Sequence, residues 1–267
     1  MPRPVQVTYE VFPDAQAMAL AAATRFAQKI EQAVASRGIA RLAISGGSTP
    51  QAMFKILADP SHPFATTVPW DKLQLFWVDE RCVAPNSPES NYGVARELLL
   101  SKVPIPAENV FRMEGELEPE VAASRYESTL RNVLKLEGAE TPAFDLVALG
   151  MGPDGHTASL FPETEGLNAM NRLVIANHVP QKDVWRISLT WMVINHGSEG
   201  VFEVEGPGKT DSVAEVLTGP RDPDRLPSQL IRPASGKLLF LLDEAAAAKL
   251  PPAEDTGAGY RVGTLDI

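Results

Sequence analysis

Cysteine is almost absent from this chain of 267 residues: Cys82 stands alone. No intramolecular disulfide can form, and neither can a zinc site built on cysteines. Cys82 reads as a small, partly buried side chain in a protein of a reducing, cytoplasmic compartment. Histidine is scarce as well, with four in all, and no His/Asp/Glu group has metal-ligand spacing. We therefore expect neither a metal nor a cofactor. Basic charge is in deficit: 24 Lys and Arg face 34 Asp and Glu, for a net charge of −10. That removes the basic stripe a nucleic-acid binder needs. It leaves room for an anionic small substrate, which feels its pocket rather than the summed charge. Long apolar runs are missing too. Ala17–Ala23 is broken by Thr24 and Arg25, and Leu238–Leu242 by Asp243, whereas a membrane span needs ~18 apolar residues or more. The opening MPRPVQVTYEVFPD lacks the apolar segment of a secretory leader. No membrane partner is expected. No pattern sets an oligomeric state, and a monomer is compatible with all of them.

Hydrophobic residues make up 44% and charged residues 22%, values that support a folded core rather than disorder. A helix is predicted over 14–37. Asp14 can cap it, Met18, Ala22, Phe26, Ile30 and Val34 share one face, and Gly38 suits its end. Strands are predicted at 41–44, 73–78, 144–149, 172–177, 185–190, 200–204 and 237–242. Helices are predicted near 50–57, 91–101, 119–136 and 208–217, with loops at 59–71, 82–90 and 219–233. The alternation argues for one α/β domain over 1–267: three α/β/α layers around a mostly parallel, Rossmann-like sheet. Such sheets place ligands at the carboxyl ends of their strands. Ser45–Thr49, Asp79–Arg81 and Gly150–His156 all fall at such ends.

Each segment has a chemical and a plain reading. Ser45-Gly46-Gly47-Ser48-Thr49-Pro50 joins a strand to a helix. Two glycines permit close backbone approach, and free N–H groups with two hydroxyls can cradle a phosphate. Equally, Ser48 or Thr49 could simply cap the helix. A nucleophile elbow around Ser45 would require glycine where Ala43 stands. Gly150, Gly152 and Gly155 spell a dinucleotide fingerprint, but Pro162 interrupts the helix that fingerprint requires, and the next strand ends without an acid. What remains is a glycine loop presenting Asp154 and His156. Gly206-Pro-Gly-Lys-Thr210 is half of a P-loop, with Glu203 where its first glycine belongs. No ATP site is expected, though Lys209 can serve as a single phosphate-binding charge. His156 is well placed as a general base, with Asp154 or Asp79 to orient it.

SGGSTP at 45–50, FWVDER at 76–81, SNYG at 90–93, FDLVALGMGPDGHTASLFP at 144–162, RISLT at 186–190 and Gly208-Lys209 occur together, in this order. In this the chain resembles the 6-phosphogluconolactonase family from about residue 10 to 245. The resemblance implies a single α/β domain that hydrolyses 6-phospho-D-glucono-1,5-lactone to 6-phosphogluconate, the second step of the oxidative pentose phosphate pathway. On that reading Ser45, Gly46, Gly47, Ser48 and Thr49 bind substrate, with Arg186 and Lys209 on its phosphate. His156 is the base, Asp154 or Asp79 its partner, and Arg81 serves either the oxyanion or the phosphate. The related glucosamine-6-phosphate deaminases share SGGSTP and the Asp-Gly-His motif. They carry a glutamate five residues after the histidine, where this chain has Phe161, and an aromatic residue where it has Arg81. The remaining alternatives are such a deaminase or a non-catalytic sugar-phosphate binder. His196-Gly197 departs from the family pattern, and the tail 251–267 matches nothing in it.

Overall fold

The computed structural model describes residues 5–267. Residues 1–4, which begin the segment read above for a leader, lie outside it. The chain runs β1 (Gln6–Phe12), α1 (Ala15–Arg37), β2 (Ala40–Ile44), α2 (Ser48–Ala58), α3 (Phe64–Thr67), β3 (Leu73–Trp77), β4 (Asp79–Arg81) and α4 (Asn91–Ala95). It continues through β5 (Val110–Phe111), α5 (Pro119–Leu134), β6 (Leu146–Leu149), β7 (Val174–Val179), β8 (Val184–Leu189) and α6 (Trp191–Asn195). Then follow β9 (Gly200–Val204), α7 (Thr210–Thr218), β10 (Leu238–Asp243), β11 (Glu254–Asp255) and β12 (Arg261–Asp266).

Nine strands form one sheet in the order β11-β12-β1-β10-β9-β6-β2-β3-β5. The seven from β1 to β5 in that order are parallel, and helices flank them. This is the expected α/β architecture. The central strands β6, β9 and β10 are buried along their whole length, because both faces of a parallel sheet are covered. Sequence dictates the ends of α1 directly. The Asp14 carboxylate accepts from the Ala17 N–H at 2.8 Å, and Gly38 turns left-handed at φ 77° to close the helix. Met18, Ala22, Phe26 and Ile30 are buried on its inner face.

Two placements differ from expectation. β7 and β8 leave the main sheet and pair antiparallel with each other and with β4. A connection of four residues between them is too short for a parallel crossover, so they must form a hairpin. The unplaced tail is structured: β12 runs antiparallel to β1 and β11 pairs with β12. Gly263 makes this possible, since a Cβ there would overlap the Tyr9 ring. Smaller differences are α3 within a predicted loop and a π-helical turn at Arg96–Leu100 that ends the helix begun at Asn91.

The topology sets up the site. From β2 the chain steps to β3 on one side, while β6, on the other side of β2, leads towards β9. The loops after β2 and β6 therefore diverge over a crevice, the usual ligand position in such sheets. The Ser45 hydroxyl donates to the Ala148 carbonyl at 2.9 Å and fastens these two strand ends together.

Candidate active site

A cleft of about 340 Å³ opens at this crevice. Every site residue read from the sequence lines it except Asp154, which reaches in through His156. Its floor is the turn after β2. Gly47 adopts φ 105° and precedes the first turn of α2, and no side chain caps that turn. Ser48 and Thr49 lie inside the turn rather than before it, so the plain capping role does not apply, and the N–H groups of this cleft-lining turn have no side-chain partner. Gly46 passes so close to Asn91 that a Cβ would overlap its side chain. Asn91 is fixed in turn, its side-chain amide donating to the Asp79 carbonyl at 2.9 Å and its backbone N–H donating to the Glu80 carboxylate at 2.8 Å. Burial raises the Glu80 carboxyl. Opposing this, its oxygens accept from the N–H groups of Tyr92, Asn91 and Arg81 and from the Ser90 hydroxyl.

One wall is the Gly150–His156 loop. It closes on itself, with the Gly152 N–H donating to the His156 carbonyl at 2.9 Å. Gly152 must be glycine, because a Cβ would enter the His156 ring. The Asp154 Oδ1 lies 2.5 Å from the His156 Nδ1. Partial burial works against the Asp154 carboxylate, but the hydrogen bond and charge of His156 outweigh it and hold the carboxyl at about 2. Asp154 is therefore ionised at neutral pH. A proton on Nδ1 satisfies this contact and leaves the Nε2 lone pair free. The structure brings Asp154, rather than Asp79, to the imidazole. Asp79 is engaged elsewhere in the cleft, accepting from the Ser159 hydroxyl at 2.7 Å and from Asn91 at 3.3 Å. On its face, His156 stacks against Phe161, with ring centroids 4.0 Å apart and planes 20° from parallel.

The cations come from separate elements. Arg81 and Arg186 are directly opposed in the β4–β8 ladder. Burial, and then the Arg81 charge, lower Arg186, with Asp79 acting the other way. Two like charges in register create a strong preference for an anion between them. Lys209 follows β9 and donates to the Met151 carbonyl at 2.7 Å. Burial lowers it, Asp154 offsets part of that, and Lys182 adds to it. Lys182, Asn91, Ser159 and Glu205 also line the cleft. The sequence carried no signal for Lys182, which sits at the tip of a hairpin. Asn91 lay within a quoted motif but had no role assigned. Among the described residues no group of three or more His, Cys, Asp or Glu could hold a metal, and no helix is long and apolar enough to cross a membrane.

Fold and cleft together define a doubly wound α/β protein whose switch-point crevice gathers an uncapped helix start, basic side chains and a histidine–aspartate pair. The chain belongs to the glucosamine-6-phosphate isomerase/6-phosphogluconolactonase family, whose profile matches residues 13–240. It is 39% identical over 244 residues to a 6-phosphogluconolactonase of Nostoc sp., covering 91% of this chain and 98% of that one. The crystal structure of devB protein superposes with a TM-score of 0.83 at 37% identity, covering 92% of this chain and all of the other. The 6-phosphogluconolactonase of Trypanosoma cruzi superposes with a TM-score of 0.80 at 27% identity, over 91% and 97% of the two chains.

Proposed function

We propose that this protein hydrolyses 6-phospho-D-glucono-1,5-lactone to 6-phosphogluconate, the second step of the oxidative pentose phosphate pathway. The observation that carries this reading is the Asp154–His156 pair facing a cradle of uncapped N–H groups and three cations across one cleft. A phosphate near pH 7 carries close to two negative charges. Gly46–Thr49 supply N–H groups and hydroxyls to it, Arg186 and Arg81 close on it from the small sheet, and Lys209 adds a point charge. Ser45 shapes the cradle, since its own proton is spent on Ala148. Anchoring a non-reacting phosphate positions the distant carbonyl, which lowers the barrier through remote binding energy.

His156 Nε2 removes a proton from water as its oxygen bonds to C1. The imidazolium then returns that proton to the ring oxygen as the C1–O bond breaks. Ionised Asp154 stabilises the imidazolium and holds the ring in its working tautomer. No covalent intermediate is required. Phe161 in place of a carboxylate disfavours the deaminase alternative, because nothing at that position can assist opening of a sugar ring by proton transfer. One hydrophobic cluster extending from β1 to β10 supports a single domain, and the lone thiol of Cys82 fits a reducing, cytoplasmic setting.

Base uptake during hydrolysis of freshly made lactone tests the proposal, with the spontaneous rate subtracted. Wild-type protein should accelerate uptake and His156→Ala should abolish most of the acceleration. Equal rates for the two would overturn the base assignment, and no acceleration by the wild type would overturn the activity.

A further inference from the structure

Lys182 ends the short turn Pro180–Lys182 between β7 and β8. The Gln181 side-chain amide donates to the Pro162 carbonyl at 3.2 Å, which ties this hairpin tip to the segment carrying Phe161. The Lys182 ammonium stands 4.7 Å from the centroid of the Phe161 ring. The same ring stacks on His156. Ammonium and imidazole therefore share one phenyl group, and both line the cleft. Lys182 forms no ion pair among the described residues; neighbouring Asp183 turns to His178 instead. Of the nearby carboxylates, Asp154 is taken by His156. An unpaired cation that shares the Phe161 ring with the general base and lines the same cleft is available to the negative charge that develops during ester hydrolysis. The carbonyl oxygen becomes an oxyanion, and the product bears a carboxylate on the same carbon.

We propose that Lys182 is a substrate-contacting cation for the reacting C1 end: it attracts the oxyanion and the product carboxylate and leaves the phosphate to the cradle. This rests on the lactonase reading. The gain is selective for charge that appears only along the reaction, which is what accelerates a chemical step. The cation–π contact with Phe161 restrains the ammonium before substrate arrives.

Two ligands separate the ends of the cleft. 6-Phosphogluconate carries both a phosphate and a C1 carboxylate, whereas glucitol 6-phosphate carries the phosphate alone. Calorimetric titration of wild type, Lys182→Met and Lys182→Arg with each ligand reads the assignment. Methionine keeps the apolar stem and removes the charge. The expected result is a roughly two- to five-fold loss of 6-phosphogluconate affinity in Lys182→Met, as for an exposed charge pair. Glucitol 6-phosphate binding should stay unchanged, Lys182→Arg should recover the loss, and the difference should shrink at high salt. The kcat of Lys182→Met should fall by a similar factor for lactone with or without its phosphate. Equal weakening of both ligands would assign Lys182 to the phosphate clamp and overturn the inference, as would unchanged 6-phosphogluconate affinity. Absence of lactone turnover by the wild type would instead sink the parent reading, while the two-ligand comparison still judges Lys182.

Discussion

Glu203 offers a test of how the fold responds to pH. It lies on β9, paired with Leu241 of β10 in the middle of the main sheet, and its Oε2 is buried without a hydrogen-bond partner. Burial, reinforced by the charge of Glu205, pushes its carboxyl from an ordinary 4.5 up to about 8. The native protein therefore keeps a proton at pH 7 that the unfolded chain has released. The native state binds the extra proton, so stability is full below pH ~4.5 and falls as pH rises, until Glu203 ionises near 8. Each pH unit in that window costs about 1.4 kcal/mol, which caps the whole loss at roughly 5 kcal/mol. Glu203→Gln has no proton to exchange. Its stability relative to wild type should improve by about 3 kcal/mol between pH 5 and pH 7.5. Urea denaturation of both proteins across this range measures the difference, and all other titrating groups cancel in it. Parallel stability curves would show that Glu203 ionises normally and would refute the reasoning. Glu203→Leu guards against a penalty from the unpaired amide, since it should show the same pH trend.

The remaining predictions concern the cleft. His156→Ala should lower kcat by about 10²–10⁴ with little change in melting temperature. Asp154→Asn should lower kcat by roughly 10-fold or more through loss of the working tautomer, read in the same base-uptake assay. Arg186→Ala and Lys209→Ala should mainly raise KM, and the defect should vanish with the dephospho-lactone; an equal defect there would remove them from the phosphate. Gly46→Ala should drive a methyl into Asn91 and weaken 6-phosphogluconate binding by roughly 10- to 100-fold, measured by calorimetry. Ser45→Ala should retain most activity, because no acyl-enzyme passes through it.

The fold was legible where local chemistry and burial agree. Asp14 and Gly38 bracket α1, and the apolar run ending at Leu149 could only be a strand covered on both faces. β7 and β8 were visible as strands, but alternation alone assigned them to the wrong sheet; the short turn at Pro180–Lys182 was the overlooked signal. β1 was not read as a strand although Val7, Tyr9 and Val11 alternate along it, and β12, with Gly263 in its middle and only partly buried Val262 and Leu265, has almost no pattern of its own. It exists because β1 offers an unpaired edge. Within the cleft, the glycine loops and His156 were readable as strand-end features. The choice between Asp154 and Asp79 was not, since both follow strands, and only three-dimensional packing sends Asp79 to Ser159. Lys182 left no trace because a lysine at a hairpin tip is ordinary until the fold carries that tip to Phe161.

The pairing of β1 governs how this chain can be made. Val7 is matched to Leu238 on one side and to Leu265 on the other, so this strand leaves the ribosome before either neighbour exists and waits for the whole catalytic framework. During synthesis its alternating apolar residues and both rows of peptide groups stand open, and such distant pairings close slowly. Slow translation, or shortage of a chaperone that shields nascent edges, should therefore depress the yield of this protein more than that of a helical bundle of equal length.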